Sequence, residues 1–364
     1  MRRLFASIDK PFLFIAISLL VIGFLILASA SAALAEKNFE TTYYYLSNQF
    51  VKGFLLGMVG FLAGLAIPFS FWKKAAVPLM LASLVLLALL FIPSIGFSHG
   101  GATRWFSLGP IVFQPSEILK VTFVMYLASW LESKREELHQ SSAFVPFIAI
   151  MGIISVFLVM QPDVGTLGII VLNAMVMYFI GGGKASQFFT LVALGFVALF
   201  VLIQIAPYRL DRLTVFLDPS HDPQGKGYQI NQALIAIGSG GFSGLGFGES
   251  REKYSYLPEP VGDSIFAIYA EEFGLLGGVV LISLFVLFLW RGLWIGARAP
   301  TPFARFLALG LTTSIVIQAF INIGAISGLL PLTGVPLPFI SYGGTSLAIT
   351  MTTVGILLNI SKEA

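Results

Sequence analysis

Asp263 stands in the run Tyr256-Leu257-Pro258-Glu259-Pro260-Val261-Gly262-Asp263-Ser264, which leads directly into an apolar stretch over 264–290. A carboxylate at such a mouth has two uses. It caps the helix by accepting from the first free N–H groups, worth about 1 kcal/mol. Alternatively it acts as a general base, because partial desolvation raises a carboxyl pKa toward neutrality while the helix N-terminus opposes the rise. Glu271 and Glu272 follow two turns on. At ~1.5 Å per residue, Glu271 lies about 12 Å below Asp263. A retaining carboxylate pair stands about 5 Å apart, so Asp263 is expected to work without a second carboxylate from this helix.

Other polar residues gather in a few places, and in an apolar chain such clustering is informative because each buried polar group is costly. Gly100-Gly101-Ala102-Thr103-Arg104-Trp105 precedes Gln114-Pro115-Ser116-Glu117-Ile118-Leu119-Lys120. Pro115 suits a first helical turn, and Glu117 and Lys120 then share a helical face. They form an ion pair that carries two charges into the bilayer, or Lys120 joins Arg104 in attracting a phosphate-bearing substrate. Gln161-Pro162-Asp163-Val164-Gly165-Thr166 reads as capping chemistry between two helices, or as part of a site. Tyr208-Arg209-Leu210-Asp211-Arg212-Leu213 opens an interfacial helix. Ile230, Leu234 and Ile237 mark a second amphipathic one. Asp218-Pro219 and Asp222-Pro223 are turns. The glycine run 238–248 fails the dinucleotide spacing in every register and reads as a flexible loop on the membrane. Three prolines at 331, 336 and 338 lie just before Ser341-Tyr342 and forbid a regular helix there. Broken backbone at membrane depth is tolerated in a protein interior or against a watery cavity. This segment is therefore a cavity wall or a structural re-entrant turn.

The elements that position these groups are membrane spans. The 364 residues are 57% hydrophobic and only 11% charged, against about 25% charged in soluble domains. Apolar blocks approach the ~20 residues that cross a bilayer. The expected fold is an all-α polytopic membrane protein with about ten transmembrane helices, near 11–35, 53–71, 76–96, 118–132, 144–160, 165–181, 187–206, 264–290, 305–328 and 344–360. The whole chain, 1–364, reads as one membrane domain. The first span resembles a leader at its end, yet 11–35 exceeds the ~7–15 residues of a leader's apolar core, so an uncut anchor is expected. Ten spans place both termini on one side, with Arg2, Arg3, Lys10, Lys73, Lys74, Lys134, Arg135, Lys184, Arg291, Arg298, Arg305 and Lys362. The opposite short loops carry only Lys37, Lys52 and Arg104. The basic excess marks the cytoplasmic face, so 207–263, between spans 7 and 8, becomes a large extracytoplasmic loop. There is no cysteine, which excludes thiolate chemistry and disulfides. His99, His139 and His221 stand singly, without metal-ligand spacing. No GxxxxGK occurs, so no nucleotide is expected.

Taken in order, the motifs resemble the SEDS family (shape, elongation, division and sporulation), whose members include RodA and FtsW. The matching strings are 101–105, 114–117, 161–166, 208–212, Gly225-Lys226-Gly227-Tyr228-Gln229, 257–259, 263–267, 271–274 and 339–344. The resemblance implies a ten-span fold with cytoplasmic termini in the bacterial inner membrane. It implies polymerisation of lipid II at the outer face, with a divalent cation such as Mg or Mn assisting the pyrophosphate. The family's essential Asp falls on Asp263. Substrate contacts are expected from Arg104, Trp105, Glu117, Lys120, Gln161, Asp163, Arg209, Arg212, Gln229, Glu259, Ser341 and Tyr342. Partners implied are a class B penicillin-binding protein transpeptidase and other divisome or elongasome membrane proteins, with no nucleic acid. Where the family commonly has His-Thr before the Asp, this chain has Val261-Gly262. The string 248–257 is nearer FtsW and Val335-Pro336-Leu337-Pro338 nearer RodA, with FtsW favoured. The rival readings are a lipid II flippase and a non-catalytic scaffold for a transpeptidase. Clustering of polar groups at one face argues against a translocation path, which needs them at both.

Overall fold

The computed structural model describes residues 7–92, 96–99, 102–108, 111–205, 207–218, 222–254 and 256–364. Gly100, Gly101, Pro219 and His221 therefore lie outside the described residues, as do Arg2 and Arg3. In chain order the elements begin with α1 (Lys10–Phe39), α2 (Tyr44–Ala66) and α3 (Phe69–Leu89). The strands β1 (Gly96–His99), β2 (Ala102–Leu108) and β3 (Ile111–Phe113) follow. Next come α4 (Pro115–Ser133), α5 (Ser141–Met160), α6 (Val164–Ile180) and α7 (Ala185–Ile205). The long connection holds α8 (Pro207–Leu217) and α9 (Tyr228–Ser239), and α10 (Ile265–Arg298), α11 (Pro302–Ile326) and α12 (Gly344–Ser361) complete the chain.

Ten of these helices fall on the ten expected spans. Eight are long and apolar enough by themselves to cross a membrane. The other two are α6, with 17 residues, and α4, which carries Glu117, Lys120 and Glu132. Several details differ from the sequence reading, among them the start of α3 at Phe69 rather than 76, which draws Lys73 and Lys74 into the helix. A three-stranded antiparallel sheet in the order β1-β2-β3 interrupts the helices before α4. The second span starts nine residues earlier than expected, at Tyr44 rather than 53, because a π-helical turn over Gln49–Leu55 carries the helix through Lys52. Lys37 likewise belongs to α1 rather than to a loop.

Local chemistry sets the helix starts. Asp9 accepts from the Phe12 N–H at 2.8 Å to cap α1, with a proline in the first turn. Thr301 caps α11 through Ala304 N–H at 3.2 Å. The centre is α11, of which 78% of the most apolar window is buried, against 6% for α7 at the periphery. α11 packs on α10, α4 and α6. α2 and α12 approach so closely that Gly57, Gly60 and Gly64 lie on Ala348, Met351, Thr352 and Ile356, and Gly355 lies on the Phe61 backbone. Small residues at such a seam let backbones touch where no hydrophobic driving force acts between helices.

One end of the bundle is basic. The Asp9 carboxylate pairs with Arg291 at 2.8 Å, and the Asp9 N–H donates to Ser361 Oγ at 3.1 Å. This joins the start of α1, the far part of α10 and the end of α12. Arg291 and Arg298 both lie 3.9 Å from the Trp294 ring. Asp263 precedes the opposite end of α10, of which the part from Leu275 to Arg298 alone is about 36 Å long.

α10 is broken at Gly274, whose φ of 64° and ψ of −162° leave the helical region. The freed backbone groups find partners in the glycine run. Leu245 and Gly246 N–H donate to the carbonyls of Glu271 and Glu272 at 3.0 Å each. The Leu275 and Leu276 N–H groups donate to Gly241 and Phe242 carbonyls at 2.9 and 3.2 Å. Residues 238–248 are thus not a loose loop resting on the bilayer: this stretch replaces the missing helical bonds of a membrane segment, where unsatisfied backbone is not tolerated. Side chains fasten it further. Ser250 Oγ donates to Glu271 at 2.5 Å, Ser29 Oγ to Glu272 at 2.5 Å, and Lys253 pairs with Glu272 at 3.1 Å.

A Gly64→Leu substitution places side-chain atoms against the Thr352 carbonyl and the Ile356 N–H, and overpacking of this kind costs about 1–3 kcal/mol. The expected outcome is a lower unfolding temperature in detergent, while Gly152→Leu, with nothing within 4 Å of its added Cβ, stays near wild type.

Candidate active site

The residues around Asp263 are held by three elements. Asp263 does not cap α10: the cap residue is Ser264, which makes no side-chain cap bond. The carboxylate is left for other partners. Gln229, in the first turn of α9, donates from Nε2 to Asp263 Oδ1 at 3.4 Å and to Ser264 Oγ at 3.0 Å. From α11, Asn322 Nδ2 donates to the Asp263 carbonyl and to the Val335 carbonyl, each at 2.8 Å. The proline-rich segment 331–343 supplies the third clamp. Ser341 Oγ donates to the Gly262 carbonyl at 2.7 Å while accepting from Leu337 N–H at 2.7 Å. Tyr342 N–H donates to the Val261 carbonyl at 2.8 Å. Three consecutive carbonyls, of Val261, Gly262 and Asp263, are therefore fixed by residues far away in sequence. Gly334, at φ 69°, faces the carboxylate: a Cβ there would stand 3.8 Å from Asp263 Oδ2.

Burial raises the Asp263 pKa to about 6, with the Glu259 carboxylate adding to the rise. The Gln229 hydrogen bond and the Arg212 charge pull the other way. Glu259 adopts a left-handed backbone, φ 49°, and its carbonyl accepts from Gly262 N–H at 3.0 Å. It brings to the site the second carboxylate that α10 does not supply. Arg212 on α8 is exposed and donates from Nη1 to the Leu332 carbonyl at 2.9 Å, which holds its charge beside the wall segment. Arg209 falls in the same helix, and its side chain lies outside the described residues.

The remaining expected contacts form a second cluster behind the wall. Gly165 backs onto Thr333 and Val335 of the same segment whose Gly334 faces Asp263. Asp163 caps α6 by accepting from Thr166 N–H at 3.3 Å, and its other oxygen accepts from Ser116 Oγ at 3.0 Å and Gln114 Nε2 at 3.4 Å. The capping reading of Asp163 holds, with a further hydroxyl and amide bound. Arg104 donates to the Gln161 carbonyl at 3.2 Å and to the Pro162 carbonyl, so it satisfies the end of α5. Gln161 Nε2 donates to the Leu87 carbonyl at 3.0 Å. Trp105 is half-buried on β2. Glu117 and Lys120 are buried and paired at 2.8 Å, and Lys120 also bonds Gln318 Oε1. Gln318 Nε2 in turn holds the Pro336 carbonyl at 2.8 Å. In this structure, then, Arg104 and Lys120 are committed to protein partners, and among the described residues Arg212 is a cation whose charge lowers the Asp263 pKa.

Sequence reasoning passes over Asn322 and Gln318. The signal is present: two amides four residues apart share one face of an otherwise apolar span, and polar groups inside a membrane are rarely idle.

A divalent cation fits the donor set in a limited sense. Mg²⁺ is held by one or two carboxylates together with substrate phosphates rather than by an all-protein cage. Glu259, close enough for its charge to raise the Asp263 pKa, offers one such carboxylate, and no group of three or more His, Asp or Glu residues suited to a metal ion occurs among the described residues.

The profile of the FtsW/RodA/SpoVE family, described as cell cycle proteins, matches residues 10–364. Stage V sporulation protein E of Bacillus subtilis (strain 168) is 38% identical over 357 residues, 98% of this chain and 97% of that protein. A probable peptidoglycan glycosyltransferase FtsW of Geobacter sp. (strain M18) is 39% identical over 367 residues, 100% of this chain and 99% of the relative. Among solved structures, a chain of a peptidoglycan synthase complex that coordinates polymerization and crosslinking superposes with a TM-score of 0.82 at 28% identity, covering 98% of both chains. Rod shape determining protein RodA of Thermus thermophilus superposes with a TM-score of 0.73 at 27% identity, over 98% of this chain and 97% of that one. A match of this extent, on a ten-span bundle with one raised-pKa carboxylate at a clamped helix mouth, places the chain in the FtsW/RodA/SpoVE family of multi-pass membrane proteins.

Proposed function

We propose that this chain is a peptidoglycan glycosyltransferase that polymerises lipid II, with Asp263 as general base. The observation that carries the reading is Asp263 itself, a carboxylate whose pKa stands at about 6, beside a cation, at the end of the bundle away from the basic cluster. A base is most effective when its pKa is near the working pH. Asp263 takes the proton from the attacking sugar hydroxyl as that oxygen bonds to the anomeric carbon of the second sugar. The bond from that carbon to the polyprenyl diphosphate breaks, and the diphosphate leaves with the electron pair. Arg212 offsets the charge that develops on the leaving group. A divalent cation held by Glu259 and the diphosphate oxygens would supply further charge there. The activated donor provides the driving force, so no nucleotide is required.

The basic end then faces the cytoplasm by the positive-inside rule, with both termini there, and the segment 207–263 faces outward in the cytoplasmic membrane. A class B penicillin-binding protein is the partner this reading calls for, supported by the likeness to a chain of a synthase complex that joins polymerization to crosslinking.

Asp263→Asn in purified protein with lipid II is expected to lower polymer formation by about 10²-fold or more, the range for a general base, with unfolding temperature unchanged. Polymer formation by this variant at the wild-type rate would remove Asp263 from the chemistry. Movement of lipid II without polymer in the wild type would instead favour the flippase.

The pH dependence follows from the sign of the shift. Asp263 is deprotonated, and competent as a base, above its pKa of about 6. Activity is expected to fall as pH drops through that value. Glu259→Gln removes a like charge that raises the pKa, so the acid limb moves to lower pH, while loss of a cation ligand lowers the plateau rate without moving that limb. Arg212→Gln removes an opposing charge and moves it to higher pH. A pH–rate profile of the three proteins checks both directions.

A further inference from the structure

α1 and α2 part along their lipid-facing sides to leave a track with no polar lining of consequence. The outer stretch, about 710 Å³, lies between Leu20, Phe24 and Ala28 of α1 and Ser47, Phe50 and Phe54 of α2. The deeper stretch, about 270 Å³, is lined by Leu13 and Ala16 of α1, Phe61 of α2, Met351 of α12, and Phe339. Leu20 lines both, so the two stretches adjoin end to end along α1. From Ala28 to Leu13 the track follows α1 for about 22 Å at the helical rise, which is most of a ~30 Å hydrocarbon layer. Phe24, Phe50 and Phe54 form an aromatic wall, the last two stacked at 5.2 Å.

Two features tie this track to the catalytic carboxylate. At its outer end, the first turn of α2 carries Tyr45, whose ring meets Tyr342 edge-on at 5.1 Å. Tyr342 N–H holds the Val261 carbonyl, two residues before Asp263. Deeper down, Phe339 lines the track from the same segment whose Gly334 faces Asp263. The segment 331–343 thus contributes both to the apolar track, through Phe339, and to the surroundings of the carboxylate, through Gly334. A linear hydrocarbon lying in the track has its polar end delivered to the tyrosine lip, next to the residues that clamp Asp263.

We propose that the α1–α2 track seats the polyprenyl tail of a lipid-diphosphate-linked sugar during the reaction, an inference that rests on the glycosyltransferase reading above. Joining two lipid II molecules brings two such tails to one site. Each diphosphate must stay near the outer surface while its tail runs down the bundle, and this track has that direction, depth and chemistry.

The test is photolabelling of the full-length protein in nanodiscs with a polyprenyl diphosphate bearing a diazirine in its tail. Labelled peptides are expected from 13–28 and 43–61, with protection by excess undecaprenyl diphosphate and none by added phospholipid. Labels confined to other helices, or equal protection by phospholipid, would overturn the proposal, the latter by showing a crevice for bulk lipid. Ile17→Trp fills the deeper stretch, beyond the reach of a three-isoprene tail whose diphosphate sits at the outer lip. It is expected to raise KM for undecaprenyl-linked substrate about tenfold, or about 1.4 kcal/mol, with kcat within about twofold and with a farnesyl-linked analogue unaffected. An equal effect on both tail lengths also overturns it. Specific labelling of a wild-type protein that makes no polymer would keep the track and reject the enzyme reading.

Discussion

The side-chain amide of Asn322 is the bond on which the site depends. It sits on the buried face of α11 and grips the carbonyls of Asp263 and Val335 at 2.8 Å each. Without it, two stretches of non-helical backbone, one before α10 and one between α11 and α12, would meet inside a membrane bundle with unpaired carbonyls. Such groups cost several kcal/mol where no water reaches them. With it, and with Ser341 and Tyr342 completing the clamp on Gly262 and Val261, the carboxylate of Asp263 is held at a fixed point while its own oxygens remain available for chemistry.

The same constraint shapes the rest of the bundle at the Asp263 end. α10 breaks at Gly274, and the run from Gly241 to Gly246 supplies the missing donors and acceptors. The buried Lys253–Glu272 pair and Ser29 then lock that run to α1. Lys120 closes a similar circuit with Glu117 and Gln318, and Gln318 reaches the Pro336 carbonyl. Each buried charge ends on a partner that also braces a broken stretch of backbone. The proline-rich segment itself carries no regular structure, so its shape comes from α4, α6 and α11 around it.

Much of this is legible in the sequence, and what is not has identifiable causes. Apolar block length gives the ten spans, because the bilayer imposes a length scale that soluble folds lack. The Glu117–Lys120 pair follows from helical spacing, and the Asp163 cap from its place before Val164 and Thr166. Asp263 as a candidate follows from its position, though not its freedom from capping, which depends on Ser264 taking the cap position. The glycine run reads as loose, since glycine spacing carries no sign of a helix break more than twenty residues later in the chain. Lys52 reads as a loop residue because a π turn changes where a helix starts without changing composition. The commitment of Arg104 to the end of α5 is a tertiary fact, invisible in a motif that only records a basic residue beside a tryptophan.

Electrostatics at the site balances two opposed influences. Burial and Glu259 push the Asp263 carboxyl up, while Arg212 and Gln229 restrain it. The outcome is a carboxyl group poised near neutrality rather than a permanently charged or permanently neutral acid. Its usefulness depends on where a substrate hydroxyl comes to rest. The direct measurement is an experimental structure of the protein in nanodiscs with a non-hydrolysable lipid-diphosphate-linked disaccharide. The acceptor hydroxyl oxygen is expected within about 2.6–3.2 Å of an Asp263 carboxylate oxygen, with the diphosphate on the Arg212 side. A sugar bound at the Asp9–Arg291 end, or an Asp263 carboxylate turned from every bound oxygen, would contradict a role for Asp263 as the base.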